Sequence, residues 1–139
     1  MEKYTEARSS SNGIKIIQTL AENGEIIIEN KSYPIEFGNL YFINCSKKYS
    51  VIPAQKDDYL QNTVMVSREF LDKLAELLDF TKETEDIFKN GYFLPVKHHK
   101  IIDEHFKKMS SVYNSEKAFS KALFTAKFLE LLNYAVSSL

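Results

Sequence analysis

The chain has 139 residues, 44% of them hydrophobic and 27% charged, with 18 Lys and Arg against 19 Asp and Glu. That size and composition fit one globular domain and exclude a disordered segment. The net charge of −1 leaves no basic excess for nucleic acid and no polybasic patch for a membrane surface. The only cysteine, Cys45, supports neither an internal disulfide nor a multi-thiolate zinc site. The opening residues lack the apolar core of a secretory signal, and no run of about 18 apolar residues occurs, so a soluble, cytoplasmic protein is expected.

Residues 1–12 are charged and then Ser-rich (Ser9, Ser10, Ser11), which predicts a flexible arm. From Gly13 to Ser67 the pattern is strand-like. Ile14–Ala21 is short and rich in β-branched residues. Asn23-Gly24 supplies the left-handed conformations of a tight hairpin, with Glu25–Asn30 as the return strand. A turn at Asn30-Lys31 leads to Ser32–Phe37, where Pro34 lacks a ladder donor and marks an edge or strand end. Gly38-Asn39 turns the chain into Leu40–Cys45, which is strongly β-forming. Tyr49–Pro53 follows a polar turn, Gln55–Asp58 is a charged loop, and Tyr59–Val66 is the last clear strand. Short strands with closely spaced turns predict a sandwich or barrel rather than βαβ units.

After Ser67 the apolar period lengthens toward 3.6. Ser67 is a candidate N-cap, and Phe70, Leu71, Leu74, Leu77 and Leu78 share one helix face. Thr81–Asn90 reads as a polar connector and Gly91–Pro95 as a short apolar link. A second helix is expected over His98–Tyr113 and a third over Glu116–Ser138. The third carries two apolar stripes. One is Phe119, Ala122, Leu123, Ala126, Leu129, Asn133 and Val136; the other is Phe124, Phe128, Leu131, Leu132 and Ala135. A surface helix of a monomer needs one stripe, so the second asks for another helix or a second copy of the chain. Asn133 among apolar neighbours is a register-setting feature of paired helices. A homodimer through Ala122, Ala126, Leu129, Asn133 and Val136 is the expectation.

The side chains argue against catalysis. All three histidines, His98, His99 and His105, fall in the second predicted helix, so a metal centre on the strands would have to rely on carboxylates. No nucleophile elbow and no phosphate-binding glycine loop is present. Neither an enzyme nor a metal or other cofactor is expected.

The stretch ENGEIIIENKSYPIEFGNLYFIN resembles the N-terminal sensing domain of AraC-type transcription regulators. Gly24 takes the second glycine of that family's pattern, Tyr33 its aromatic residue and Gly38 the glycine before a buried strand. YLQNTVMVSREFLDKL resembles the passage from the last barrel strand into a short helix, and GYFLPV followed by two helices resembles the rest of the domain. The resemblance covers the chain after the arm. Glu22 stands in place of the first glycine, Asn39 in place of the usual Asp, and Tyr49 where many members carry a histidine. Family members continue through a linker into two helix-turn-helix motifs, so an excised sensing domain is the favoured expectation.

The resemblance implies an α+β fold, mainly β: a small cupin-like (double-stranded β-helix) barrel over 13–67, then C-terminal helices over 68–139 that pack on it and pair subunits. It implies an effector-binding and dimerisation domain, with DNA contacted only through the helix-turn-helix part and no membrane partner. Alternating strand positions then make Lys15, Ile17, Thr19, Tyr49, Val51, Gln61 and Thr63 the candidate ligand-binding lining of the interior. An inward Lys15 would favour an acidic or carbonyl-bearing effector. The reversed parity would put Ile16, Gln18 and Leu20 inside and Lys15 and Thr19 in solvent. The alternatives are a stand-alone cupin enzyme with a non-histidine metal site and a dimerisation module with a filled barrel.

Overall fold

A computed structural model describes residues 2–3, 13–113, 115 and 117–137. The chain divides into two compact units, Met1–Val96 and Lys97–Leu139. Of the predicted arm, Glu2–Lys3 forms strand β1; residues 4–12 lie outside the described residues.

The first unit holds β2 (Gly13–Thr19), β3 (Gly24–Ile28), β4 (Lys31–Pro34), β5 (Leu40–Asn44) and β6 (Tyr49–Pro53). A single 3-10 turn at Lys56–Asp58 precedes β7 (Leu60–Ser67), α1 (Arg68–Leu78), α2 (Thr81–Phe88) and β8 (Tyr92–Leu94). The strands form two antiparallel sheets, a five-stranded one in the order β1-β7-β2-β5-β8 and a three-stranded one in the order β4-β3-β6. The fold is therefore α+β, but among the described residues no ladder joins the edges of the two sheets, and the expected closed barrel is not formed.

The Asn23-Gly24 turn departs from the expected hairpin in the same way. Both residues have positive φ, at 68° and 114°. Yet β2 pairs with β5 and β7 while β3 pairs with β4 and β6, so the turn carries the chain from one sheet to the other. Gly24 is needed there: a Cβ would lie 2.5 Å from the Ile52 carbonyl oxygen. The tight hairpin forms one step later, between β3 and β4. Its two-residue loop is Glu29-Asn30, one residue before the predicted turn, and both residues have positive φ, at 60° and 128°.

The β region also reaches beyond Ser67. Tyr92–Leu94, expected as a link, pairs with Leu40–Phe42 and extends the larger sheet. The polar connector contains α2, whose Thr84, Ile87 and Phe88 are buried. Its polarity in sequence reflects a helix with one narrow apolar face.

The larger sheet is covered on both faces. Ile17, Tyr41 and Ile43 join Ile26, Ile28, Tyr49 and Val51 of the smaller sheet in one buried cluster, which fills the space between the sheets. The opposite face presents Ile14, Ile16, Leu40 and Phe42, all buried. There the Phe42 ring meets Phe88 of α2 edge-on at 6.0 Å between centroids. On the same face Asn62 donates to Gln18 across the ladder at 2.9 Å. Burial on both faces explains why the run Ile14–Ile17 shows little alternation. It also means that neither parity of β2 faces solvent. α1 starts as expected: the Ser67 hydroxyl accepts from the Phe70 backbone N–H at 3.0 Å, replacing a bond the first turn cannot make internally.

The second unit is a helical pair, α3 (Lys100–Tyr113) and α4 (Ser120–Val136), both shorter than predicted. Ile102, Phe106 and Met109 of α3 are buried, as are Phe128, Leu131, Leu132 and Ala135 of α4. His105 and Glu130 link the two helices, with Nδ1 and Oε2 3.3 Å apart.

Candidate functional site

The candidate ligand residues sit on the face of the larger sheet that looks toward the smaller one. Lys15 lies across from Ile43 and Met65, Ile17 from Tyr41 and Thr63, and Thr19 from Gln61. Tyr49 and Val51 reach the same interior from β6, where they pair with Ile28 and Ile26.

Lys15 and Tyr49 are brought together. The Lys15 ammonium donates to the Tyr49 hydroxyl at 2.9 Å, and Nζ lies 5.4 Å from the ring centroid. The hydrogen bond is the stronger part of this contact, since 5.4 Å is near the outer reach of a cation–π interaction. Lys15 is half-buried while Tyr49 is buried. The Cys45 thiol belongs to the same group. Burial pushes its pKa up, and the Lys15 charge and a hydrogen bond with Tyr49 act in the opposite direction. A buried thiol held protonated is a poor nucleophile.

A second polar run follows β7. The Tyr59 hydroxyl donates to Gln61 Oε1 at 2.7 Å, and Gln61 Nε2 donates to Thr63 Oγ1 at 2.8 Å. Gln61 and Thr63 are half-buried, so this row of amide and hydroxyl groups borders the apolar cluster. Thr19 has a different task. Its buried hydroxyl donates to the Glu36 carbonyl at 2.7 Å and ties the end of β2 to the loop before β5. Beside it the Tyr41 hydroxyl donates to the Pro34 carbonyl, and burial pushes the Tyr41 pKa up to about 12. Asn39 Oδ1 accepts from the Val96 backbone N–H at 3.0 Å.

Cys45 and Tyr59 were not among the candidate ligand residues, although parity could have added both. Cys45 continues the row Tyr41, Ile43, and Tyr59 precedes Gln61 and Thr63 at the same spacing of two. An open cleft of about 360 Å³ lies between α1 and α2, lined by Arg68, Asp72, Glu76, Thr84 and Glu85 among others; no candidate ligand residue lines it. Among the described residues no group of three or more His, Cys, Asp or Glu is placed to hold a metal ion.

On α4 the two predicted stripes have different fates. Phe128, Leu131, Leu132 and Ala135 are buried, and Phe124 stacks on Phe128 at 6.3 Å. Of the candidate dimer residues, Ala122, Ala126 and Asn133 are exposed and Leu129 and Val136 half-buried; Phe119 and Leu123 beside them are exposed.

No protein-family model matches the chain, and no curated protein matches it. Among the described residues no helix is long and apolar enough to cross a membrane.

Proposed function

We propose that this chain is the effector-binding and dimerisation part of a cytoplasmic AraC-type transcription regulator. Its two sheets would be a flattened cupin-like barrel, and DNA would be contacted by the helix-turn-helix part that such regulators carry after this region. The observation that carries the reading is the Lys15–Tyr49 pair: a cation and a phenol joined at 2.9 Å at the edge of an apolar interior, with the Gln61–Thr63 row on β7. Ligand sites are commonly apolar with a few convergent polar groups. The lysine favours a small carboxylate or carbonyl-bearing effector. Effector binding would shift the population between two arrangements of the helical pair, by no more than its differential affinity for them.

The experiment is a thermal-shift screen of the chain against sugars, sugar acids, amino acids and small carboxylates, with and without chelator. A ligand of the native state raises the melting temperature. The expected result is a chelator-insensitive shift with a carboxylate that is lost in Lys15→Met. A shift abolished by chelator would instead reveal a metal-dependent site.

A second reading has its own support. Ile17, Ile26, Ile28, Tyr41, Tyr49 and Tyr59 pack the space between the sheets with almost no exposure. On that reading the sheets are a filled scaffold and the chain is a dimerisation module, and no probe in the screen shifts the melting temperature.

A further inference from the structure

The smaller sheet has three strands and the larger five, and the cover it gives the larger sheet is uneven. Over β2 and β5 it is complete: Ile17, Tyr41 and Ile43 are buried. Over β7 it is not. Gln61 and Thr63 are half-buried, and Met65, next in the same row, is 49% exposed. Lys15 lies across from Met65 and Ile17 across from Thr63, so Lys15 and Thr63 are diagonal neighbours on one face. Such neighbours have Cα atoms about 7–8 Å apart, within reach of a long side chain. All of these residues belong to the first unit.

The hydrogen bonds along β7 have a direction. Tyr59 donates to Gln61 and Gln61 donates to Thr63, so the Thr63 oxygen is the acceptor that ends the row. Its own hydrogen is not used there, and no acceptor for it lies among the described residues. A hydroxyl both donates and accepts, so this one is left with a donor to offer. Lys15 places a positive charge on the same face. We propose that Thr63 is the second anchor of the effector site and that the effector is a 2-oxo acid. Lys15 takes the carboxylate, and the Thr63 hydroxyl donates to the neighbouring keto oxygen. This rests on the effector-binding reading above and deepens it. A keto oxygen only accepts, which suits a site whose two anchors both donate. The matched 2-amino acid is disfavoured, because its ammonium brings no acceptor to Thr63 and a second positive charge beside Lys15. The unsubstituted acid is disfavoured because it leaves the hydroxyl without a partner.

The test measures dissociation constants by isothermal titration calorimetry on the full chain, with two skeleton-matched sets of acids. One set is butanoate, 2-oxobutanoate and 2-aminobutanoate; the other is 4-methylpentanoate, 4-methyl-2-oxopentanoate and leucine. The unaltered chain should bind each 2-oxo acid at least about tenfold more tightly than the other two acids of its set. Thr63→Val is close in shape and strongly β-forming, and should bind the 2-oxo and unsubstituted acids within about twofold of each other. Thr63→Ala, which also lacks the hydroxyl, should do the same, and Thr63→Ser should keep the preference. Circular dichroism and the melting temperature without ligand verify that each variant folds. Carboxylates bound without a 2-oxo preference, or a preference that survives in Thr63→Val and Thr63→Ala, overturn this inference and leave the effector reading standing. Binding of none of these acids also overturns it. A carboxylate hit in the thermal-shift screen then still supports the effector reading, and a screen without any hit removes that reading too.

Discussion

The two compact units leave their apolar surface in different conditions. In the first, the larger sheet is covered on both sides, by the smaller sheet and by α2, and its strands are pinned by ladders that fix which side chain faces which layer. In the second, α4 carries two apolar stripes, one buried and the other largely open. A strand has two faces, and both are used here. A helix has a full circumference, and a pair of helices covers only part of it. The larger sheet has both faces occupied, whereas α4 leaves much of one stripe open.

The sharpest way to break this contrast is in the sheet. Phe42 is fully buried between Phe88 and Tyr92, so Phe42→Ala should cost about 3–5 kcal/mol, measured by urea unfolding. A loss below about 1 kcal/mol would mean that α2 does not seal that face. Next comes Leu129→Glu on the open stripe. It should raise the dimer dissociation constant about 100-fold, close to 2.7 kcal/mol, while leaving the melting temperature of the sheet unit unchanged. An unchanged dimer in sedimentation would remove α4 from the interface. A smaller effect is expected at the junction of sheet and helix. Ser67→Ala removes the hydroxyl that accepts from Phe70 and should cost about 1 kcal/mol in the same unfolding assay.

The smallest effect concerns pH and the helical pair. Burial lowers the His105 pKa below its ordinary 6.5; Glu130 opposes the shift, and Lys127 and Lys108 add to it. Between the folded and unfolded values the unfolded chain binds more protons, so this contribution to stability is complete above about 6.5 and is lost as pH falls through that window. The melting temperature should drop slightly between pH 7.5 and 5.5, and His105→Gln should flatten that slope. An equal slope in the variant would show that His105 is as solvated in the fold as in the unfolded chain.

Part of the candidate lining was legible in the order of residues. A period of two grouped Lys15, Ile17 and Thr19 on one face of β2 and Tyr49 and Val51 on one face of β6, because alternation is a property of the strand itself, but it left open which face turns inward. Register could not be obtained that way. That Lys15 meets the Tyr49 hydroxyl depends on two sheets packing face to face, and that Thr19 is committed to the Glu36 carbonyl depends on where the loop before β5 returns. The polarity of Thr81–Asn90 hid α2 for a related reason: only Thr84, Ile87 and Phe88 need to be buried for that helix to pack.

By itself the sequence determined the local decisions: short strands, positive-φ turns at Asn23-Gly24 and next to Asn30, the Ser67 cap, and two stripes on the last helix. These follow from torsional preference and from side chains a few residues apart. Tertiary structure alone decided that the Asn23-Gly24 turn passes between sheets rather than closing a hairpin, that Tyr92–Leu94 joins the larger sheet, and which stripe of α4 is buried. The physical reason is that strand pairing and burial are settled among segments far apart in the chain, where several partners satisfy the same local pattern and only packing selects one.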